Sequence, residues 1–221
     1  MILQLLLSEP LVALAWIVAI LLALTIHEYA HAQVGSWRGD DTAERLGRLT
    51  INPLAHLDLL GTIMLITVGF GWAKPVPFDP RNLQHPLLDG MTIALAGPAA
   101  NLFLAVLGGA AFRALATSEF FAGSLLPVFL ILLIFINLLL LFFNLIPVPP
   151  LDGSKVLDAA LVHGKAEKLL YYLHLYGPRV LLLLVIISLL TDINIFAFIQ
   201  VPAIIACDAL TGVSCFGTLA Q

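Results

Sequence analysis

LVALAWIVAILLALTIHEYAH, residues 11–31, is an apolar run that ends in two histidines and a glutamate. From Leu11 to Ile26 it carries no charge. Residues 10–34 as a helix, rising 1.5 Å per residue, are long enough to cross a hydrocarbon layer of about 30 Å. A cleavable leader would want a basic start and a shorter apolar core, yet no Lys or Arg precedes Arg38. The stretch therefore reads as a first membrane span whose histidines lie inside the bilayer, close to one face.

The spacing at the end of this span has its own chemistry. Residues four apart share a helix face, so His27 and His31 can offer two imidazole nitrogens to one tetrahedral Zn²⁺. In zinc hydrolases with His-Glu-x-x-His spacing the histidines bind the metal, and the glutamate, here Glu28, takes a proton from the attacking water. The bland reading is that these side chains only cap an apolar helix near the headgroups. Ionisable groups on so apolar a segment are expensive, which favours a working site.

Composition sets the same frame. The 221 residues are 61% hydrophobic and 11% charged, with a mean hydropathy of +1.04, whereas soluble domains carry about 25% charged residues. Lipid is the expected solvent for most of the surface. Basic residues form no cluster with interleaved aromatics, so no nucleic-acid partner is expected. Cys207 and Cys215 lie far from the histidines in sequence; they pair if their end faces an oxidising compartment and stay free thiols otherwise.

Along the chain, residues 35–87 turn polar and irregular. Arg48-Leu49-Thr50-Ile51 alternates as a short strand does, Leu59 to Phe70 is too short to span and reads as re-entrant or interfacial, and Gly69 to Pro80 is too proline-rich for a helix. A second span is expected over 89–113, rich in small residues and kinked at Pro98, with Asn101 one turn after Gly97. A third runs from 125 to 146, and Pro147, Pro149 and Pro150 then break it before Leu151-Asp152-Gly153. It ends on the face that bears the histidines, which puts Asp152 where a third ligand is missing. Residues 154–164 read as a short helix and 165–176 as a headgroup-level segment. Gly177-Pro178 marks a break before a fourth span that starts at Arg179 and is interrupted by Asp192 and Asn194.

The expected fold is an all-α polytopic membrane protein with about four main transmembrane helices, short re-entrant or β elements and short interfacial helices. Residues 1–221 form one domain, with a catalytic core of about 10–190 and a short interfacial or re-entrant segment over 191–221. Arg38, Arg45, Arg48, Lys74, Arg81, Lys155, Lys165 and Lys168 fall on the face of the histidines, and Arg113 on the other. Positive charge stays cytoplasmic, so the site should open to the cytosol of a bacterial or archaeal cell membrane.

Two imidazoles and one carboxylate leave a fourth position open, the pattern of catalytic rather than structural zinc. At this point the motifs His27-Glu28-Tyr29-Ala30-His31 and Asn144-Leu145-Ile146-Pro147-Val148-Pro149-Pro150-Leu151-Asp152-Gly153 resemble the two signatures of the site-2 protease family of intramembrane zinc metalloproteases. Gly47 to Asp58, Gly71 to Pro77 and Gly97-Pro98-Ala99-Ala100-Asn101 add to the likeness, which covers roughly residues 15–190. Leu60 stands where the family often has proline before the glycine at Gly61.

The resemblance implies hydrolysis of a peptide bond within or beside a transmembrane segment of a membrane-protein substrate, as in regulated intramembrane proteolysis. It implies one Zn²⁺ per chain held by His27, His31 and Asp152, Glu28 as general base, and Asn144 near the metal as a donor to the substrate carbonyl or oxyanion. Asn101 and His56 are secondary candidates, His56 fitting a loop hydrogen bond equally well. The chain reads as a compact, core-only member without a PDZ or CBS module. The rivals are a membrane metal-ion carrier, which would place ligands nearer the midplane and leave Glu28 without work, and an inactive scaffold of the same fold.

Overall fold

The computed structural model describes residues 2–68, 70–161, 166–191 and 193–219. Gly69, Lys165, Asp192 and the end of the helix expected over 154–164 lie outside these. Among the described residues eleven α-helices follow in order: α1 (Ile2–Ser8), α2 (Pro10–Trp37), α3 (Thr42–Arg45), α4 (Leu59–Val68), α5 (Pro86–Leu115), α6 (Glu119–Ala122), α7 (Leu126–Asn144), α8 (Gly153–Leu161), α9 (Glu167–Leu190), α10 (Ala197–Thr211) and α11 (Cys215–Leu219). Four of them, α2, α5, α7 and α9, are long and apolar enough to cross a membrane. The protein is an all-α polytopic membrane protein.

Small residues decide how the spans pack. On α2, Ala19, Ala23, His27, His31 and Gly35 recur every fourth residue and all are buried. On α5, Gly90, Ala94, Gly97, Asn101, Ala105 and Gly108 form a matching buried face. In lipid no hydrophobic force drives helices together, so close backbone approach through small side chains supplies the contact. The α2 stripe continues directly into the histidines, and the face that builds the bundle also delivers the site. The spine is α7, packed against α2, α5 and α10; Ile131 and Ile134 are fully enclosed, and Leu130, Leu138 and Leu141 are buried beside them.

Two expectations are corrected. Arg48 to Ile51 is no strand: the Arg48 side chain turns inward, and its Nη atoms donate to the Lys74 and Pro75 carbonyls at 2.5 and 3.2 Å. Among the described residues the β structure reduces to one antiparallel bridge, Leu57 to Ala73. Gly177-Pro178 does not break the fourth span, because α9 runs through it. Proline removes one backbone hydrogen bond, whereas ending a helix would orphan several groups that lipid cannot satisfy. Gly177 sits where a Cβ would come within 3.0 Å of Val148 Cγ1 and 3.2 Å of the Pro149 carbonyl. Residues 197–211 form α10, which buries Ile199, Ala203 and Cys207 on one side and leaves Phe198, Val201 and Ile205 exposed on the other; Cys207 is disulfide-bonded to Cys215.

The polar connections between α2 and α5 are tied by one carboxylate. Asp40, 2% exposed, accepts from the Thr42 amide (3.1 Å), Thr42 Oγ1 (2.5 Å), Asn82 Nδ2 (2.8 Å) and the Asp79 amide (2.7 Å). Burial alone would raise its pKa; the donors, Asn82 and Thr42 foremost, outweigh this and hold it below the ordinary value. A group depressed on folding stabilises above its unfolded pKa and stops doing so as pH falls through its folded pKa. Asp40→Asn is expected to cost about 2 kcal/mol at neutral pH, typical of hydrogen bonds to a charged group. In thermal unfolding in detergent, the gap to wild type should narrow as pH falls below 3.8, the ordinary carboxylate value.

Candidate metal centre and active site

Each functional side chain arrives by a local rule. His27 and His31 lie one helical turn apart on α2, their rings 4.6 Å between centroids and nearly perpendicular at 85°. Asp152 comes from the opposite side, where the proline-rich turn after α7 folds back into α8. Gly153 permits that turn, since a Cβ there would overlap the Leu145 and Ile146 carbonyl groups.

The three side chains meet. His27 Nε2 and His31 Nε2 are 3.0 Å apart, and Asp152 Oδ2 lies 3.3 and 3.4 Å from them. The protons are assigned by what stands behind each ring. His31 Nδ1 is 2.7 Å from the Ile93 carbonyl, which can only accept, so Nδ1 carries a proton, and in the neutral ring that a metal requires Nε2 holds the lone pair. His27 Nδ1 is 2.6 Å from Asn101 Oδ1, with the same result. Asp152 Oδ2 is buried and lacks a hydrogen-bond donor. With both rings neutral, three electron-rich atoms face one another, an arrangement that repels unless a proton or a metal cation sits among them. Ligands bonded to zinc at about 2.0–2.1 Å in a tetrahedron stand about 3.3 Å apart, close to the spacings seen. The residues fit zinc.

Glycine makes room for this centre. A Cβ on Gly97 of α5 would overlap His31 Nε2 and lie 2.6 Å from His27 Nε2. Sequence reading singled out Gly97 as a packing residue; its place against the ligand atoms depends on how α5 meets α2.

Glu28, 8% exposed, faces a cleft of about 700 Å³ that also holds His27, His31 and Asp152. Its Oε2 accepts from the Val76 amide at 3.1 Å. That amide belongs to the extended stretch whose Lys74 and Pro75 carbonyls Arg48 grips. The Arg48 guanidinium is buried, which lowers its pKa, while the charge of Glu28 works in the opposite sense. Arg48 and Val76 hold the carboxylate in place, a role that sequence reading missed because it depends on a contact 48 residues away in the chain.

The rest of the cleft is mostly apolar. Trp16 and Ile20 of α2 and Phe135 and Leu139 of α7 form walls, while Asn144, Lys155 and Gln200 supply polar atoms. Phe143 makes edge contacts with Phe70 at 6.4 Å and Phe196 at 6.1 Å. Asn144 Nδ2 donates to the Leu140 carbonyl of its own helix at 3.1 Å, which leaves its second N–H directed elsewhere. The other two candidates lie outside the cleft lining: Asn101 is fully buried behind His27, and His56 Nε2 pairs with the Thr50 carbonyl at 2.8 Å, a loop contact.

Comparison with known proteins decides the family. A Bacillus subtilis protein with the provisional name zinc metalloprotease YwhC is 39% identical over 160 residues, 69% of this chain and 72% of its own length. The chain belongs to peptidase family M50, the site-2 proteases. The model of that family matches residues 114–185, which take in Asn144 and Asp152. Rip2 of Mycolicibacterium smegmatis, also provisionally named a zinc metalloprotease, is 34% identical over 147 residues, 62% of this chain and 54% of its own. No solved structure matches. This M50 peptidase is a membrane-embedded zinc metalloprotease, and neither the carrier nor the inactive-scaffold reading is favoured.

Proposed function

We propose that His27, His31 and Asp152 hold the zinc of this M50 peptidase, that Glu28 is its general base, and that it cuts a membrane-spanning segment of a protein substrate within or beside the bilayer. The observation that carries the assignment is the meeting of three potential ligand atoms, within 4.8 Å of one another, beside Glu28 in one cleft between membrane helices. Zinc, when bound, supplies Lewis-acid activation of water and of the scissile carbonyl. Glu28 accepts the proton of the attacking water at a carboxylate oxygen and returns it to the leaving amine. The free N–H of Asn144 donates to the developing oxyanion. Asn101 acts behind the metal, and His56 keeps the loop in shape.

A helical substrate hides its scissile bond behind its own hydrogen bonds and must unwind locally. The extended stretch through Ala73, Pro75 and Val76 lines the cleft, and an extended edge of this kind can pair with an unwound strand. Comparing membrane-protein fragments in cells that express wild type or Glu28→Gln tests the function: one or more membrane proteins should accumulate uncut with the variant. An unchanged pattern, with the enzyme present at its normal level, counts against proteolysis.

The site opens to the cytosol and the N-terminus faces outward. Two observations at opposite ends of the bundle support this orientation. Arg38, Arg45, Arg48, Lys74 and Arg81 lie between α2 and α5, Lys155 on α8 and Lys168 in the first turn of α9, on the side of the histidines. At the other end, Arg113 donates to the Leu210 and Ala209 carbonyls at 2.7 and 2.6 Å, beside the Cys207–Cys215 disulfide, a bond that persists in oxidising compartments. A cysteine at exposed Glu44 should resist an impermeant maleimide in intact cells and react after permeabilisation. Labelling in intact cells would invert the orientation.

A further inference from the structure

A second buried amide lies behind the first. Asn101 and Asn137 are both fully enclosed between α2, α5 and α7, at a depth where an idle amide is costly. Asn101 Nδ2 donates to Asn137 Oδ1 at 2.8 Å, and Asn137 Nδ2 donates to the Leu133 carbonyl at 2.8 Å. Read from its far end, the chain of bonds has only one possible polarity. A backbone carbonyl can only accept, so Asn137 must turn its NH₂ toward Leu133 and its oxygen toward Asn101. Asn101 must then present its NH₂ to Asn137 and its oxygen to His27. His27 Nδ1 must therefore be the donor, at 2.6 Å, and its Nε2 is left with a lone pair directed at Asp152 and His31. Among the described residues the Asn101 amide has one further hydrogen bond, a long one to the Ala23 carbonyl at 3.3 Å.

We propose that Asn137 is a positioning residue for zinc binding, and that through Asn101 it locks the His27 ring in the tautomer and orientation that a zinc ligand needs. It touches neither substrate nor metal. The proposal rests on His27 being a ligand. Outer partners of ligating histidines typically change metal affinity 10–100-fold when removed, and Asn137 stands one bond further out than the usual partner. The reason is the surroundings: Asn137 is fully enclosed, and a leucine in its place fills the space without supplying an acceptor.

Four measurements on the 221-residue protein in detergent test this. Zinc dissociation constants are read by chelator competition for wild type, Asn137→Leu and His27→Ala, and the cobalt-substituted forms are compared by visible absorption. Asn137→Leu should bind zinc about 10-fold or more weakly, with an altered cobalt spectrum and with cleavage recovered at raised zinc, a rescue that general misfolding would not show. Zinc affinity within twofold of wild type, with His27→Ala devoid of zinc, would overturn the relay while leaving the ligand assignment standing. Zinc retained by His27→Ala would remove the ligand reading itself. Nitrogen NMR of the His27 ring in wild type needs no variant: a proton on Nδ1 is expected, and its absence overturns the proposal even if Asn137→Leu cannot be produced folded.

Discussion

Zinc-loaded Glu28→Gln protein should retain one metal ion per chain and lose cleavage by about 10²–10⁴-fold, the range for removing a general base. The two properties separate because of where the side chain sits. Glu28 contributes no atom to the cluster of His27, His31 and Asp152, so the metal keeps its ligands. Glutamine has the same shape and keeps an oxygen for the Val76 amide, now 3.1 Å from Glu28 Oε2, so the extended stretch also stays in place. What disappears is the capacity to take up a proton. Metal analysis combined with cleavage of a transmembrane substrate reads both quantities on one sample. Wild-type cleavage by the variant would take Glu28 out of the mechanism, and loss of metal would mean that it serves the ion rather than the water.

The spans and the triad were legible because their signals are local or strongly constrained. Apolar runs of spanning length have few alternatives in a chain this hydrophobic, and the i, i+4 histidines need only a helix to share a face. Asp152 followed from counting crossings. The failures have a common physical origin in contacts between segments distant in sequence. Four alternating residues at Arg48 looked like a strand, but the Nη atoms of the guanidinium donate to carbonyls 26 and 27 positions away, and those tertiary bonds override the pattern. Helix α10 is too short to span alone, and its composition suits an interfacial helix as well as a buried one; only its packing on α5 and α7 separates the two. Phe196, Ile199 and Gln200 consequently line the cleft from a segment that sequence reading left outside the catalytic core. The polarity of the Asn101–Asn137 pair was equally hidden, since an asparagine in an apolar helix announces the need for a partner without naming it.

Gly97→Ala is expected to abolish zinc binding, a larger effect than its one added methyl suggests. The new Cβ would overlap His31 Nε2 and lie 2.5 Å from His27 Cε1, inside any tolerable contact. Neither ring can retreat. His31 is held by the Ile93 carbonyl at 2.7 Å and His27 by Asn101 at 2.6 Å, and both partners lie on α5 with Gly97 itself, so a shift of that helix drags the anchors along. Zinc affinity should fall by more than the roughly 100-fold upper range for losing an outer partner, and cleavage with it. Gly108→Ala is the control, because it adds the same methyl on the same helix. There the Cβ would meet Ile134 Cγ1 at 2.9 Å, an apolar side chain that holds neither imidazole. Its cost should be the roughly 1–3 kcal/mol of ordinary overpacking, with zinc retained. Equal zinc loss in both variants would mean that close packing of α5, rather than the space Gly97 leaves in front of the imidazoles, is what the metal centre needs.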